Sequence, residues 1–247
     1  MRILEPEVMM SEEEILAYDK LVLKYLGILH AGAVETILNM SPREGRFLDV
    51  GTGTGWISIG VAENCPGAEV IGIDLSPAML SVAAGNARQQ GVSDRVSFVL
   101  GDAKKIHYED NSFDAVFCHN MLHHIPHPLP MVKEMIRVLK KDGALLIRDL
   151  KRIAHPWIEF HVNVLGLTYT KLMKKEYRDS IQAALSEEEW KQLIDQIQVP
   201  GAKLTRQFIT HMSIERPSLR RRAEQIQVPT PLHMRLAKKM YVSGGGA

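Results

Sequence analysis

The chain has 247 residues, of which 45% are hydrophobic and 24% charged, and its formal net charge is +1. That length suits one sizeable domain with a small appendage, and the composition is that of an ordinary soluble globular protein. A near-neutral balance gives no global reason to expect a nucleic-acid or membrane partner, and no apolar run approaches the roughly 18 residues of a spanning helix.

Ser11 followed by Glu14 is a capping-box pattern. With Ile15, Leu16, Leu21, Val22, Leu23, Tyr25 and Leu26 behind it, a helix is expected over about 12–26. A second helical stretch, "AGAVETILNM", should close before Ser41-Pro42, because the residue preceding proline disfavours helix. From Gly45 the pattern alternates. "RFLDV" is a short apolar strand running into "GTGTG", and "WISIGVAENC" is the helix after it. "EVIGID" is the second strand. Ser76 as N-cap and Pro77 at N1 open the next helix, and Gly91 ends it.

"RVSFVL" and "FDAVFC" are the third and fourth strands. "MVKEMIRVLK" is a helix expected to bury Met131, Met135, Ile136, Val138 and Leu139, and "GALLIRDL" is a fifth strand after a Lys141-Asp142-Gly143 turn. Strands separated by helices at this spacing mean βαβ units and a parallel sheet. Residues 153–200 are helical in pattern, with a capping box at Ser186 and Glu189. "AKLTRQFITHMSIE" then holds two β-like runs too close together for a helical crossover, so they read as an antiparallel hairpin. After Pro217 the chain is basic, with Arg220, Arg221, Arg222, Arg235, Lys238 and Lys239 against Glu224, and "SGGGA" at the end is flexible in composition.

In an open parallel sheet, ligands sit at the carboxyl ends of the strands, and glycines there let backbone approach the ligand. A dinucleotide site wants G-x-G-x-x-G, with the pyrophosphate on the helix N-terminus. Gly51 and Gly53 fit that spacing, but Trp56 stands at the third glycine position and the third glycine is Gly55. Asp49 beside the turn would repel a pyrophosphate and suits an ammonium or sulfonium instead. The dinucleotide reading fails on both counts.

The run Asp49-Val50-Gly51-Thr52-Gly53-Thr54-Gly55 resembles the first motif of class I S-adenosylmethionine-dependent methyltransferases. "VIGIDLSPAML" is similar to the family's second motif, Gly101-Asp102-Ala103 to its third, and "FDAVFCHNMLHHI" and "RVLKKDGALLI" to later segments of the branch that includes the quinone-biosynthesis methyltransferases. The resemblance spans Phe47 to Leu150. It implies a Rossmann-like, doubly wound, seven-stranded, mostly parallel sheet with an antiparallel last strand. It also implies S-adenosylmethionine as cofactor, S-adenosylhomocysteine as product and a small-molecule methyl acceptor.

Carried over by motif, the expected cofactor-binding residues are Asp49, Gly51, Thr52, Gly53, Thr54, Gly55, Trp56, Asp74 (ribose hydroxyls), Leu75 and Met79 (flanking adenine), Asp102 (adenine amino group), Ala103, His119 and Asn120. Independently of the family, Asp49, Asp74, Asp102, Asn120 and Asp149 each fall at the carboxyl end of a successive expected strand, so polar groups converge on one sheet edge.

The candidates for a general base are His123 and His124, suited by a titration near neutral pH. The alternative is that they only shape the loop over the cofactor. No metal site is expected, because the histidines around 119–127 lie in a segment broken by Pro126 and Pro128. No Asn/Asp-Pro-Pro-Tyr/Phe motif follows the fourth strand, and Cys118 reads as a small buried residue.

The expected organisation is a helical cap over 1–44, a methyltransferase domain over 45–216 with a helical lid at 151–200, and a basic tail over 217–247. Tyr18, Tyr25, Trp157, Phe160, His161, Tyr169 and Tyr177 are candidates for an acceptor pocket. The competing function is an RNA or protein methyltransferase that docks its target through 217–240; a packed or solvated helix is the plainer fate of that tail. Homodimerisation is left open. With two cysteines, no CxxC pair and no apolar h-region in "MRILEPEVMMSEEE", a cytoplasmic protein without a secretory signal is expected.

Overall fold

The computed structural model describes residues 2–4, 15, 19, 27–167, 169–207 and 210–229. Its elements in chain order are α1 (Gly27–Met40), β1 (Glu44–Val50), α2 (Trp56–Asn64), β2 (Gly67–Asp74), α3 (Pro77–Gln89), β3 (Val96–Leu100), β4 (Phe113–His119), a 3-10 turn (Leu122–His124), α4 (Pro128–Val138), β5 (Leu139–Leu150), α5 (His155–Leu165), α6 (Lys171–Ala183), α7 (Glu187–Ile197), β6 (Lys203–Gln207) and β7 (His211–Arg216).

The strands form one sheet in the order β3-β2-β1-β4-β5-β7-β6. β1 to β5 are parallel, and β7 runs antiparallel to both β5 and β6. The central strands read as near-continuous apolar runs because both sheet faces are covered. Along β4, Ala115 and Phe117 face the layer of α1 and α2, while Val116 and Cys118 face the layer of α4 and α7. Full burial of one such side chain as Phe117 is worth about 1.5–3 kcal/mol. The order reverses between β1 and β4, the switch point where a ligand crevice opens.

The helix boundaries follow the caps. The Ser76 hydroxyl accepts from the Met79 amide at 3.3 Å, Pro77 follows it, and Gly91 sits beyond the last turn at φ +70°. Ser186 and Glu189 close a reciprocal capping box on α7.

Several expectations need correcting. Lys141-Asp142-Gly143 is not a turn that separates helix from strand. β5 already starts at Leu139, and the three residues are absorbed in an irregularity, with Phe113 opposite Leu139 but Ala115 opposite Ala144. Leu139 is therefore a strand residue, Ile136 is half-buried, and Val132 is the buried α4 residue the pattern missed.

The tail over 218–229 is not a helix but a strap that runs along α1. Ser218 N–H donates to the Met40 carbonyl at 2.9 Å, Ile226 N–H to Asn39 Oδ1 at 2.7 Å and Val228 N–H to Glu35 Oε2 at 3.0 Å. Arg220 pairs with Asp114 and Asp142, both at 2.6 Å. Arg235, Lys238, Lys239 and the glycine-rich end lie outside the described residues. So does most of the expected helix over 12–26, of which Ile15 and Asp19 are helical and buried.

Candidate functional site

The glycine turn joins β1 to α2 at the switch point. Gly51 and Thr52 N–H both donate to the Ile73 carbonyl, at 2.9 and 3.0 Å, which ties the turn to β2. Gly51, Gly53 and Gly55 have φ of +74°, +54° and +85°, the left-handed region that side chains disfavour. They are not equivalent. A Cβ on Gly51 would lie 2.5 Å from Met121 Sδ, and one on Gly55 would lie 2.7 Å from Phe98 Cζ, so both are close-packed against protein. A Cβ on Gly53 would meet nothing within 4 Å, so this position faces open space.

That space is an open cleft lined by residues of the turn, of the ends of β2 and β4, and of α1 and α3. Of the expected cofactor residues, Asp49, Gly51, Thr52, Gly53, Thr54, Trp56, Asp74, Leu75, Met79, Ala103, His119 and Asn120 line it; Gly55 and Asp102 do not. Gly55 serves as the left-handed cap of α2. Asp102 Oδ1 accepts from the Lys104 amide at 2.8 Å and holds the loop after β3. No lysine or arginine lines the cleft among the described residues.

Two carboxylates flank the turn. Asp49 is 2% exposed, and its Oδ2 accepts from the Thr52 hydroxyl at 2.9 Å and the Ser58 hydroxyl at 2.7 Å. Burial pushes its pKa from 3.8 up to about 6, with the two hydroxyls opposing the rise and Asp74 adding to it. Asp74 accepts from Gly53 N–H through Oδ2 and from Ser76 N–H through Oδ1, each at 2.9 Å, and burial raises its pKa as well.

The far wall carries histidines. His119 ends β4, and its ring meets that of His30 from α1 edge to face at 5.7 Å. Burial drives His30 down to about 4 and His119 well below its usual value, so both are neutral at physiological pH. Asn120, at φ +53°, lines the cleft with a buried Oδ1 that no described protein group satisfies. An acceptor atom of that kind at a ligand wall is a place for a ligand donor.

The two candidate bases are separated by the fold. His124 lines the cleft, whereas His123 is 5% exposed and lies behind it. His123 Nδ1 is 2.6 Å from Asp149 Oδ1, and its backbone N–H donates to Asp149 Oδ2 at 3.1 Å. Burial alone would raise Asp149, but His123 and the hydrogen bonds hold it below 3.8, so it is a carboxylate and Nδ1 carries the proton toward it. The His123 ring lies 4.1 Å from that of His124. Cys118 is fully buried, with its thiol pKa raised by burial and by Asp149 and Asp49.

Sequence reasoning missed the groups that close the site from a distance. His30 and Met121 line the cleft. Trp56 Nε1 donates to Asp19 Oδ1 at 2.7 Å, and Asn86 Nδ2 donates both to Asp19 and to the Thr54 carbonyl. Arg2 donates to the carbonyls of Leu122, His123, Pro126 and Ala183, which joins the histidine turn to the end of α6. No local pattern marks these pairs, since the partners are far apart in sequence. Of the expected acceptor-pocket residues, His161 is buried and Tyr177 half-buried, but Trp157 and Phe160 are exposed; Tyr18 and Tyr25 lie outside the described residues.

Residues 42–198 match the family described as the methyltransferase domain. Methyltransferase GfsG of Streptomyces halstedii is 39% identical over 105 residues, 42% of this chain and 37% of that protein. The ubiquinone biosynthesis O-methyltransferase of Xanthomonas axonopodis pv. citri is 33% identical over 150 residues, 59% of this chain and 60% of that one. The chain thus spans only part, about half, of the length of the curated relatives it matches. A SAM-dependent methyltransferase from Aquifex aeolicus superposes with a TM-score of 0.62 over 84% of this chain and 98% of that one, at 19% identity, which speaks to fold alone. With the sheet order and the glycine turn in place, the match over 42–198 shows that this chain belongs to the methyltransferase domain family and has the class I fold.

Proposed function

We propose that the protein transfers the methyl group of S-adenosylmethionine to a small-molecule acceptor and releases S-adenosylhomocysteine. One observation carries this reading: Gly53, the open one of the three glycines in the turn, faces a cleft that offers the carboxylates Asp49 and Asp74 and no lysine or arginine among the described residues. Such a cleft opposes a pyrophosphate and favours a cation. When bound, S-adenosylmethionine supplies an electrophilic methyl on a cationic sulfur with a neutral thioether as leaving group.

Asp49 compensates the ligand's positive charge. Asp74 keeps lone pairs beyond those used by Gly53 and Ser76 N–H, since a carboxylate has about four acceptor sites; these suit ribose hydroxyls. Leu75, Met79 and Ala103 would hold the adenine, and Asn120 Oδ1 would accept from a ligand donor. The roles of Asp102 and Gly55 in this reading are to shape the loop and the turn. Alignment of donor and acceptor is the main catalytic contribution, an effect worth up to roughly 7–11 kcal/mol.

Where the acceptor must lose a proton, His124 is the base on the cleft. The acceptor's proton passes to its ring nitrogen, while His123, held by Asp149, fixes the ring behind it. The named acceptor chemistry of relatives such as the ubiquinone O-methyltransferase supports a small acceptor. In this reading the described residues of 151–200 serve as a lid and those of 1–44 as a cap to the 45–216 core. Among the described residues the RNA- or protein-docking alternative has no observation in its favour, and Arg220 and Arg222 make internal contacts.

Isothermal titration with S-adenosylmethionine, S-adenosylhomocysteine and NADH tests the proposal. Micromolar binding of the first two without the third is expected. Binding of NADH alone would overturn it.

A further inference from the structure

The 3-10 turn that brings His124 to the cleft is held from two sides. On the sheet side, Asp149 accepts from the His123 backbone N–H at 3.1 Å and lies 2.6 Å from its Nδ1. On the outer side, the His123 carbonyl accepts from Arg2 Nη2 at 3.2 Å. The same nitrogen reaches the Leu122 carbonyl at 3.2 Å, and Nη1 reaches the Pro126 carbonyl at 3.1 Å. The peptide groups on either side of His123 are thus fixed by two residues that stand far from it in sequence.

The fourth bond of Arg2 leads away from the turn. Its Nε donates to the carbonyl of Ala183, the last residue of α6, at 2.6 Å, and the neighbouring Ile3 N–H donates to the Gln182 carbonyl at 3.3 Å. α6 has no basic residue in its last turn, and it packs on the 3-10 turn. Two segments therefore bring their carbonyl ends to one place. Such ends carry partial negative charge and repel unless a cation lies between them. Arg2 is a cation in that position, and its planar fork donates to both sides at once, which a lysine ammonium does not match. Arg152 bonds the Ala184 carbonyl at 3.2 Å, and its other terminal nitrogen pairs with Glu189. The glycine turn has a different anchor, because Gly51 and Thr52 hang on the Ile73 carbonyl of β2.

We propose that Arg2 is a positioning residue for His124, one that joins the 3-10 turn to the end of α6 and so keeps the imidazole on the cleft wall. The inference rests on the reading that His124 serves the acceptor, but the placement itself does not depend on which cofactor the cleft takes. It makes the acceptor side of the cleft follow α6, while the cofactor side follows the sheet.

The test compares the full-length parent with R2A and R2K by residue-resolved hydrogen exchange and by the ring-nitrogen signals of His123 and His124. In R2A the amides of His123, His124 and Ile125 should exchange on the order of tenfold faster or more, while those of Gly51 and Thr52 keep the parent's rate. The ring signals should shift or broaden in R2A and return part of the way in R2K, which keeps the charge without the fork. S-adenosylmethionine affinity should stay within about twofold of the parent, because the two anchors are separate. If R2A does not fold, R2K decides, with a smaller effect at the same amides and rings. Unchanged amides or unchanged rings in the variants overturn the proposal. So does exchange that speeds up equally at Gly51 and Thr52, which would make Arg2 a general staple of the fold. A parent that binds no S-adenosylmethionine would sink the cofactor reading and leave these measurements to decide the role of Arg2.

Discussion

Asp49 makes the cofactor proposal testable through pH. Its pKa in the free protein is about 6 against an ordinary 3.8, because burial disfavours the anion more than the Thr52 and Ser58 hydroxyls favour it. Roughly 97% of Asp49 is ionised at pH 7.5 and roughly 9% at pH 5. A cationic ligand selects the ionised form, so affinity is full well above pH 6 and falls as pH drops through it. The predicted loss of S-adenosylmethionine affinity between pH 7.5 and pH 5 is about tenfold, or about 1.4 kcal/mol. His30, at about 4, His211, at about 3, and His119, lower than usual, stay neutral across this window and do not contribute.

Asp49→Asn should bind more weakly at pH 7.5 and lose the slope, which titration calorimetry at several pH values would read. The same variant carries a stability prediction of opposite sense. A carboxyl whose folded pKa is raised stabilises the fold below pH 3.8 and loses that contribution as pH rises through about 6, a difference of about 3 kcal/mol. The cofactor-free Asp49→Asn protein should therefore melt no lower than the parent at pH 7.5. A flat affinity profile for the parent, or an unchanged slope in Asp49→Asn, would refute the assignment of Asp49 as the charge partner.

Gly53→Val places a branched side chain in the cleft at a backbone angle it disfavours, while touching no protein atom. It should abolish measurable cofactor binding in the same calorimeter with a stability loss of only about 1–2 kcal/mol in denaturant unfolding; normal binding would show that the glycine faces something else. Asp149→Asn puts an amide where the carboxylate accepts from the His123 backbone N–H and from its Nδ1. A loss of about 2–4 kcal/mol is expected. Because the Asp149 pKa is held below 3.8, the gap from the parent should narrow as pH falls through its folded value, which urea melts at pH 7 and pH 3 would compare. Arg220→Ala removes a half-exposed guanidinium from buried Asp114, which keeps Lys140 and the Arg46 amide, and from partly exposed Asp142, and should cost only about 1 kcal/mol. Salt-sensitive RNA retention that this variant abolishes would instead revive a docking role for the tail.

The parts of the cleft that could be read from sequence share one physical property. A parallel sheet delivers the end of every strand to the same edge, so Asp49, Asp74, Asn120 and Asp149 converge once the strands are placed. Strand placement followed from runs of five to eight mostly apolar residues and from punctuation such as Ser76-Pro77 and Gly91. The glycine spacing even told which cofactor class to exclude, since Trp56 and Asp49 are local to the turn. What stayed hidden is what crosses between elements. Which of two adjacent histidines reaches the cleft depends on how the 3-10 turn sits over Asp149. Period alone does not say which face of α5 is covered, because it has apolar residues on both.

The roof of the cleft shows where such reasoning stops and why. Trp56 stands where a dinucleotide fold would keep a glycine, and its indole N–H is fixed by Asp19, thirty-seven positions earlier in the chain. Asn86 of α3 reaches the same carboxylate and the Thr54 carbonyl. On the other side Arg2 gathers four carbonyls from the histidine turn and the end of α6. The cleft is therefore floored by short-range sequence order and closed by contacts between segments with no common motif. Changes at the floor should alter which cofactor binds, as Gly53 and Asp49 test. Changes at Asp19 or Arg2 should leave cofactor choice intact and alter how firmly the cleft is closed.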